Sequence, residues 1–263
     1  MTATGLGCGS CGTKLPPDSR FCNKCGRIDR LDHAMARSAD PVSYAAVVTY
    51  VYFPGIPGGV LRPDDSAMRE IEDALRIAER SGDDLALIMA RMTLGVALVH
   101  RQTAVERDRG HKLLAEVSDV FLPRGYFLAE LPIIEVYLAR ERARRGDRED
   151  AIPPMRAAVD QLDRAGRLLV EGVLATVVVV ETLLDRGADD DVAEAEAAIE
   201  RLAAAAPTDD GLASRDIWLF RLRALLARAH GDDTAYRDYR DRYRDMAKTL
   251  GFEGHIAWAE AMT

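Results

Sequence analysis

Four cysteines are the residues whose type and spacing could do chemistry: Cys8, Cys11, Cys22 and Cys25, all within the first 25 residues. They form two C-x2-C pairs separated by ten residues. A C-x2-C hairpin turns two thiolates towards one metal at a Zn–S distance of ~2.3 Å, and two such hairpins complete a tetrahedral four-thiolate shell. Gly12 and Gly26 follow the second cysteine of each pair, where the backbone must fold back towards a sulfur. Pro16-Pro17-Asp18 supplies a turn between the hairpins, and Phe21 is placed to cover the site. The spacing predicts a structural Zn2+ with Cys8, Cys11, Cys22 and Cys25 as ligands. Two other readings are a disulfide pair, which suits a reducing compartment badly, and a redox C-x-x-C, which needs a βαβ context that the flanks lack. Four thiolates leave no open position for a catalytic water, so the metal is expected to hold the fold and do no chemistry.

No other constellation for catalysis is visible. The chain has no G-x-x-x-x-G-K-[ST] phosphate loop and no G-x-G-x-x-G after a strand. Gly55-Ile56-Pro57-Gly58-Gly59 is proline-broken, lacks a lysine and reads as a loop. His33, His100, His111, His230 and His255 stand singly, as structural or surface histidines do. The pairs Asp64-Asp65, Asp209-Asp210 and Asp232-Asp233 fall at expected helix starts, where carboxylates cap the helix and favour its dipole. Trp218 joins Leu222, Leu225, Leu226 and Ala229 in a core stripe. The chain is therefore expected not to be an enzyme.

Charge narrows the partners. Net charge is −8, and arginine outnumbers lysine heavily; only Lys14, Lys24, Lys112 and Lys248 occur. We read the arginine excess as genome composition. In the ribbon, Lys14, Arg20, Lys24, Arg27 and Arg30 exceed Asp18, Asp29 and the −2 of a four-thiolate zinc by one charge. Neither the whole chain nor the ribbon has the basic surplus expected of a nucleic-acid binder. Met1 to Gly7 has no basic region followed by an apolar run, and Leu168 to Leu184 is interrupted by Glu171 and Glu181 short of the ~20 residues that cross a bilayer. A cytoplasmic protein with no membrane partner is expected.

The elements that must position these residues are helical. The composition, 48% hydrophobic, 30% charged and 6% aromatic, suits helices packed through Ala and Leu. Ser66–Ser81, Ala151–Gly166, Asp191–Ala206 and Thr234–Leu250 each carry one apolar stripe at i, i+3, i+7 spacing. Their partners Leu85–His100, Leu128–Arg145, Leu168–Arg186 and Arg215–His230 are apolar all round, as helices packed on two sides are. On the Thr234–Leu250 helix, Arg237/Asp241 and Asp238/Arg242 form i, i+4 pairs on a solvated face. The valine run Val177–Val180 lies within one of the apolar helices. Pro153-Pro154 is expected in a first turn, where the missing N–H costs least.

Joints at Gly82-Asp83, Gly146-Asp147, Gly187-Ala188-Asp189 and Gly231-Asp232 pair a glycine that ends one helix with an aspartate that caps the next. The last three glycines lie 41 and 44 residues apart, longer than the ~34-residue TPR period. The expected architecture is all-α: a four-cysteine zinc ribbon over 1–27, a linker over 28–40, and a TPR-like α-solenoid of helical hairpins over 41–263. Its groove is expected to hold a protein or peptide partner, or a second copy of the chain.

The segment CGSCGTKLPPDSRFCNKCG resembles the zinc ribbon near the N-terminus of multidomain class III adenylate/guanylate cyclases of actinobacteria. EIEDALRIAERSGDD, RRGDREDAIPPMRAAVD, RLRALLARAHGDD and YRDMAKTLGFEGHIAWAEAM resemble the C-terminal helical region of the same family. In that family a cyclase domain and a P-loop ATPase lie between the two. Here only the 14 residues Arg27 to Asp40 do. The resemblance therefore implies the four cysteines as metal ligands and no catalytic residue. It leaves three functional expectations: a non-catalytic interaction or regulatory module of cyclic-nucleotide signalling, residual cyclase or ATPase activity, and a fragment of a transcriptional regulator.

Overall fold

The computed structural model describes residues 40–124, 129–205 and 213–262. The four cysteines, residues 28–39 of the expected linker and Asp209-Asp210 lie outside the described residues; Asp40, the last linker residue, caps the first described helix by accepting from Ser43 N–H. The described elements are eleven α-helices and one π-helical turn, in agreement with the all-α expectation. They are α1 (Pro41–Gly55), α2 (Asp65–Ser81), α3 (Asp84–Val99), α4 (Ala104–Arg124), α5 (Leu131–Arg144) and α6 (Arg148–Arg164), followed by the π-helical turn Leu168–Gly172. Then come α7 (Val173–Arg186), α8 (Asp191–Ala204), α9 (Ala213–Ala229), α10 (Asp233–Leu250) and α11 (Glu253–Glu260).

The helices pack as successive antiparallel hairpins in two layers. α3, α5, α7 and α9 form the inner layer, each touching the next, while α4, α6, α8 and α10 lie outside and pack on the inner helix before; α4, α6 and α8 also pack on the inner helix after. Hydrophobic patterning explains the sorting. α3 is buried over twelve of its residues, including Ala86, Met92, Val96 and Val99, and the valine run Val177–Val180 is buried within helix α7. The outer α6 buries one stripe of Ile152, Met155, Val159 and Leu162, as its periodicity requires. Gly82, Gly146, Gly187 and Gly231 all take left-handed φ at the joints, and Asp64, Asp83 and Asp232 accept hydrogen bonds from the first-turn N–H groups that they cap.

Four expectations need correction. Asp147 takes the N-cap position after Gly146 but gives no side-chain capping bond. Pro153 and Pro154 lie inside α6, in its second turn, because the glycine turn at Gly146 starts that helix at Arg148. The segment Leu168–Arg186 is not one α-helix: Gly172 N–H donates to Arg167 O in a π-helical turn, tied by the Arg167–Glu171 ion pair, before α7 begins. At the Gly187 joint neither Asp189 nor the N-cap Asp190 gives a capping bond. Asp191 acts instead: 1% exposed, it accepts from Ala188 N–H and from both ends of the Arg186 guanidinium, at 2.6 and 2.9 Å. Those bonds, the guanidinium first, hold its carboxyl below the usual aspartate range. Asp191→Ala is expected to cost about 2 kcal/mol, read as a lower denaturation midpoint at unchanged slope.

The ends of the stack meet. The loop after α1 runs against α11: Gly59 O accepts from His255 N–H at 3.0 Å and Val60 O from Glu253 N–H at 3.1 Å. An open solenoid makes only nearest-neighbour contacts. Here the first loop and the last helix touch, and the inner helices face a cleft bounded on that side by Pro57 and Trp258.

Candidate functional site

The cleft between the inner helices has a volume of about 550 Å³, within the range of ligand-binding pockets. Each inner helix contributes. The end of α3 and the turn after it supply Val99, His100, Arg101 and Gln102; α5 supplies Tyr137, Arg140 and Arg144; α7 supplies Glu181; α9 supplies Trp218 and Arg221. With Arg107 of α4, five arginines and one carboxylate line the cleft, in a chain whose net charge is −8.

The arginines are held in place by the inner scaffold. Glu141, only 3% exposed, pairs with Arg144 at 2.6 Å and lies 3.6 Å from Arg107. Arg101 is fixed by Glu106 at 2.8 Å and by Pro63 O at 2.7 Å. Arg221 donates to Glu181 at 2.7 and 3.1 Å and lies over the rings of Trp258 and Tyr243.

Arg140 is the exception. Its side chain is 11% exposed. One Nη donates to Val99 O at 3.0 Å, the other lies 3.5 Å from His100 Nε2, and the guanidinium lies 4.8 Å from the centre of the Tyr137 ring. Its Nε has no hydrogen-bond partner among the described residues, and the nearest carboxylate oxygen, of Glu141, is 3.8 Å away. Burial, reinforced by Arg144, pulls its pKa down to about 10. A cation so desolvated, with no carboxylate at hydrogen-bonding distance, is costly for the protein alone. An anion in the cleft would relieve that cost.

Two further groups of the lining, His100 and Tyr137, are shifted away from neutral pH. Burial holds His100 well below its ordinary value, Arg140 adding to the effect, and its Nδ1 lies 2.8 Å from Val96 O. It is a neutral imidazole whose Nε2 faces Arg140 as an acceptor. Burial pushes the Tyr137 hydroxyl above its usual value.

Two smaller depressions adjoin the cleft. One, of about 250 Å³, is lined by Phe53, Pro54, Met89, Met92 and Ile133, with Tyr50, 79% exposed, among its residues. Pro57, Tyr137 and Leu174 line both it and the cleft. The other, of about 490 Å³, shares Glu181 and Arg221 with the cleft and extends along α7 and α9 past Leu225 to Arg228. The three depressions thus share walls along the inner helices: the cleft is lined by arginines, and the smallest pocket is mostly apolar, with Glu130 and Glu171 also among its residues.

Among the described residues, no group of three or more His, Cys, Asp or Glu side chains could hold a metal. The predicted ligands Cys8, Cys11, Cys22 and Cys25 fall outside those residues, and their assignment rests on the motif. Residues 8–28 match the zinc-ribbon domain family. That match covers all four cysteines and suggests a zinc-binding module at the N-terminal end. No curated protein and no solved structure matches the chain. No helix among the described residues is long and apolar enough to cross a membrane.

Sequence reasoning missed the arginine cleft, since the arginine excess was assigned to composition. A usable signal was present. Arg140 and Arg144 sit four residues apart on α5, which buries Ile133, Ile134, Val136, Tyr137 and Ala139, and Arg221 adjoins the buried Leu222 in α9. A charged residue on a helix buried on two sides needs a partner or a ligand. The sequence reading of Trp218 as core holds, since it is 4% exposed, yet it also lines the cleft. His255 is fully buried, as a structural histidine is, whereas His100 is half-buried and lines the cleft.

Proposed function

We propose that this chain is a non-catalytic interaction module. A ribbon held by structural zinc through Cys8, Cys11, Cys22 and Cys25 is joined to TPR-like helical hairpins whose inner groove seats an extended segment of a protein partner. The observation that carries the reading is the groove itself: an arginine-rich cleft that shares Pro57, Tyr137 and Leu174 with a mostly apolar pocket, on the inner face of a hairpin stack. The lining offers cations and planar surfaces for binding, while its histidine and tyrosine are shifted away from neutral pH in the directions that disable acid–base work. The four-cysteine donor set suits zinc, and the zinc-ribbon match over residues 8–28 supports it. The resemblance of the sequence to the two ends of nucleotide cyclases points to a signalling setting, with a second copy of the chain as the other occupant of the groove.

Zinc content and partner capture test the proposal together. Purified protein is expected to carry one zinc per chain, and Cys22→Ser/Cys25→Ser none, with the helical circular dichroism of the two alike. Pull-down from the native cytoplasm is expected to retain one specific partner. Absence of zinc from the wild type would remove the ribbon assignment. Turnover of a nucleoside triphosphate by purified protein would overturn the non-catalytic reading.

A further inference from the structure

Resting on that reading, the chemistry of the groove specifies the segment it takes. We infer that the groove recognises an acidic peptide, with clustered carboxylates at the Arg140 cleft and a bulky apolar side chain on one flank, in the pocket beside Tyr50. Three observations carry this inference.

The first is charge. Five arginines line the cleft; Arg221 pairs with Glu181, Arg144 and Arg107 with Glu141, and Arg101 with Glu106 and Asp65, so five cations meet four carboxylates and the excess positive charge centres on Arg140. The second is the weakly paired guanidinium of Arg140, whose carboxylate neighbour Glu141 is 3.8 Å away. It is nine-tenths buried, its Nε is unpartnered among the described residues, and it lines the cavity. Arg221 with Glu181 and Arg144 with Glu141 show that carboxylates are the anions these walls already accept. The third is continuity. The cleft shares the wall residues Pro57, Tyr137 and Leu174 with the adjoining pocket, which is mostly apolar although Glu130 and Glu171 also line it, and which is lined in part by Tyr50, one of the most exposed large apolar side chains among the described residues. A small anion would fill the cleft and leave that pocket empty, whereas a peptide spans both.

The test is selection of a displayed library of random twelve-residue peptides on the full-length protein, followed by affinity measurement of the enriched peptides. Aspartate and glutamate are expected to be enriched as a cluster, with Phe, Leu, Ile or Met preferred to one side. Binding of the best peptide is expected to fall at least about tenfold in Arg140→Met and to weaken as salt is raised. Tyr50→Ala, at an exposed position, is expected to reduce the apolar preference and keep the acidic one. Should Arg140→Met not fold, Arg107→Gln supplies the same reading.

Peptides selected without acidic enrichment, yet displaced by a bulky Gln102→Trp in the cleft, would overturn the inference and leave the interaction module standing. No selection of any peptide would count against both. Inorganic pyrophosphate binding as tightly as the selected peptides, and displacing them, would make this a small-anion site and overturn the peptide.

Discussion

Replacing Gly59 with alanine is expected to lower the unfolding free energy of the helical body by about 3 kcal/mol, a fall in Tm of roughly 6–12 °C for a domain of this size. Two causes add. Gly59 has φ +68°, a left-handed conformation that costs an alanine about 1 kcal/mol. Its new Cβ would also lie 2.6 Å from both His255 Cδ2 and Trp258 Cζ3. Those rings are packed against Trp218, with centroids 4.5 and 5.3 Å away, so they have little room to retreat. Gly82 separates the two contributions. Its φ of +69° is nearly the same, but nothing lies within 4 Å of its would-be Cβ. Gly82→Ala is therefore expected to cost only about 1 kcal/mol. Equal losses at Gly59 and Gly82 would show that the contact between the first loop and the last helix contributes nothing. Because Pro57 and Trp258 bound the cleft, Gly59→Ala should also weaken ligand binding.

The same junction makes the fold sensitive to acid. His255 is fully buried; its Nδ1 shares a 2.9 Å hydrogen bond with the Tyr243 hydroxyl, and its ring packs edge-on against Trp218. Burial, with a smaller contribution from Arg221, lowers its pKa from 6.5 to about 3. The unfolded chain binds this proton below about pH 6.5 and the folded chain only near pH 3, so stability falls as pH drops through that window. Between pH 7 and pH 5 the loss from His255 alone is about 2 kcal/mol. His100, lowered well below its ordinary value, adds in the same direction. Burial raises the carboxyls of Glu130, Glu135 and Asp185, which act in the opposite sense at lower pH. Urea unfolding of wild type and His255→Gln at both pH values isolates the histidine. The variant is expected to be weaker at pH 7, having lost ring packing, and to lose about 2 kcal/mol less on acidification. Parallel pH dependences in the two proteins would contradict a neutral buried His255.

The helices and joints were legible because they follow from local rules. The stripe of Ile152, Met155, Val159 and Leu162 fixes one face of α6, and Gly231 with Asp232 ends one helix and caps the next whatever lies around them. The π-helical turn at Leu168–Gly172 was not legible, since its apolar residues fit a continuous α-helix equally well. On α10, Arg242 pairs with Asp238 as its spacing indicates, whereas Asp241 bonds Arg240 and Arg244 at shorter reach. The cleft was illegible for a different reason. Arg101, Arg140 and Arg221 lie far apart in the chain and converge only because α3, α5, α7 and α9 face one space. Likewise Gly59 reads as a loop glycine until Gly254 and His255 are brought against it.

Photo-crosslinking from within the groove tests the central claim most directly. A benzophenone amino acid replaces Gln102, which lines the cleft, or Arg237, which is exposed on the outer helix α10. On irradiation in the cells that make the protein, the Gln102 probe is expected to capture one partner through an acidic segment, the Arg237 probe is not, and Arg140→Met is expected to abolish the capture. Capture from Arg237 alone, or capture from Gln102 that is indifferent to Arg140→Met, would show that the groove is not where this protein meets its partner.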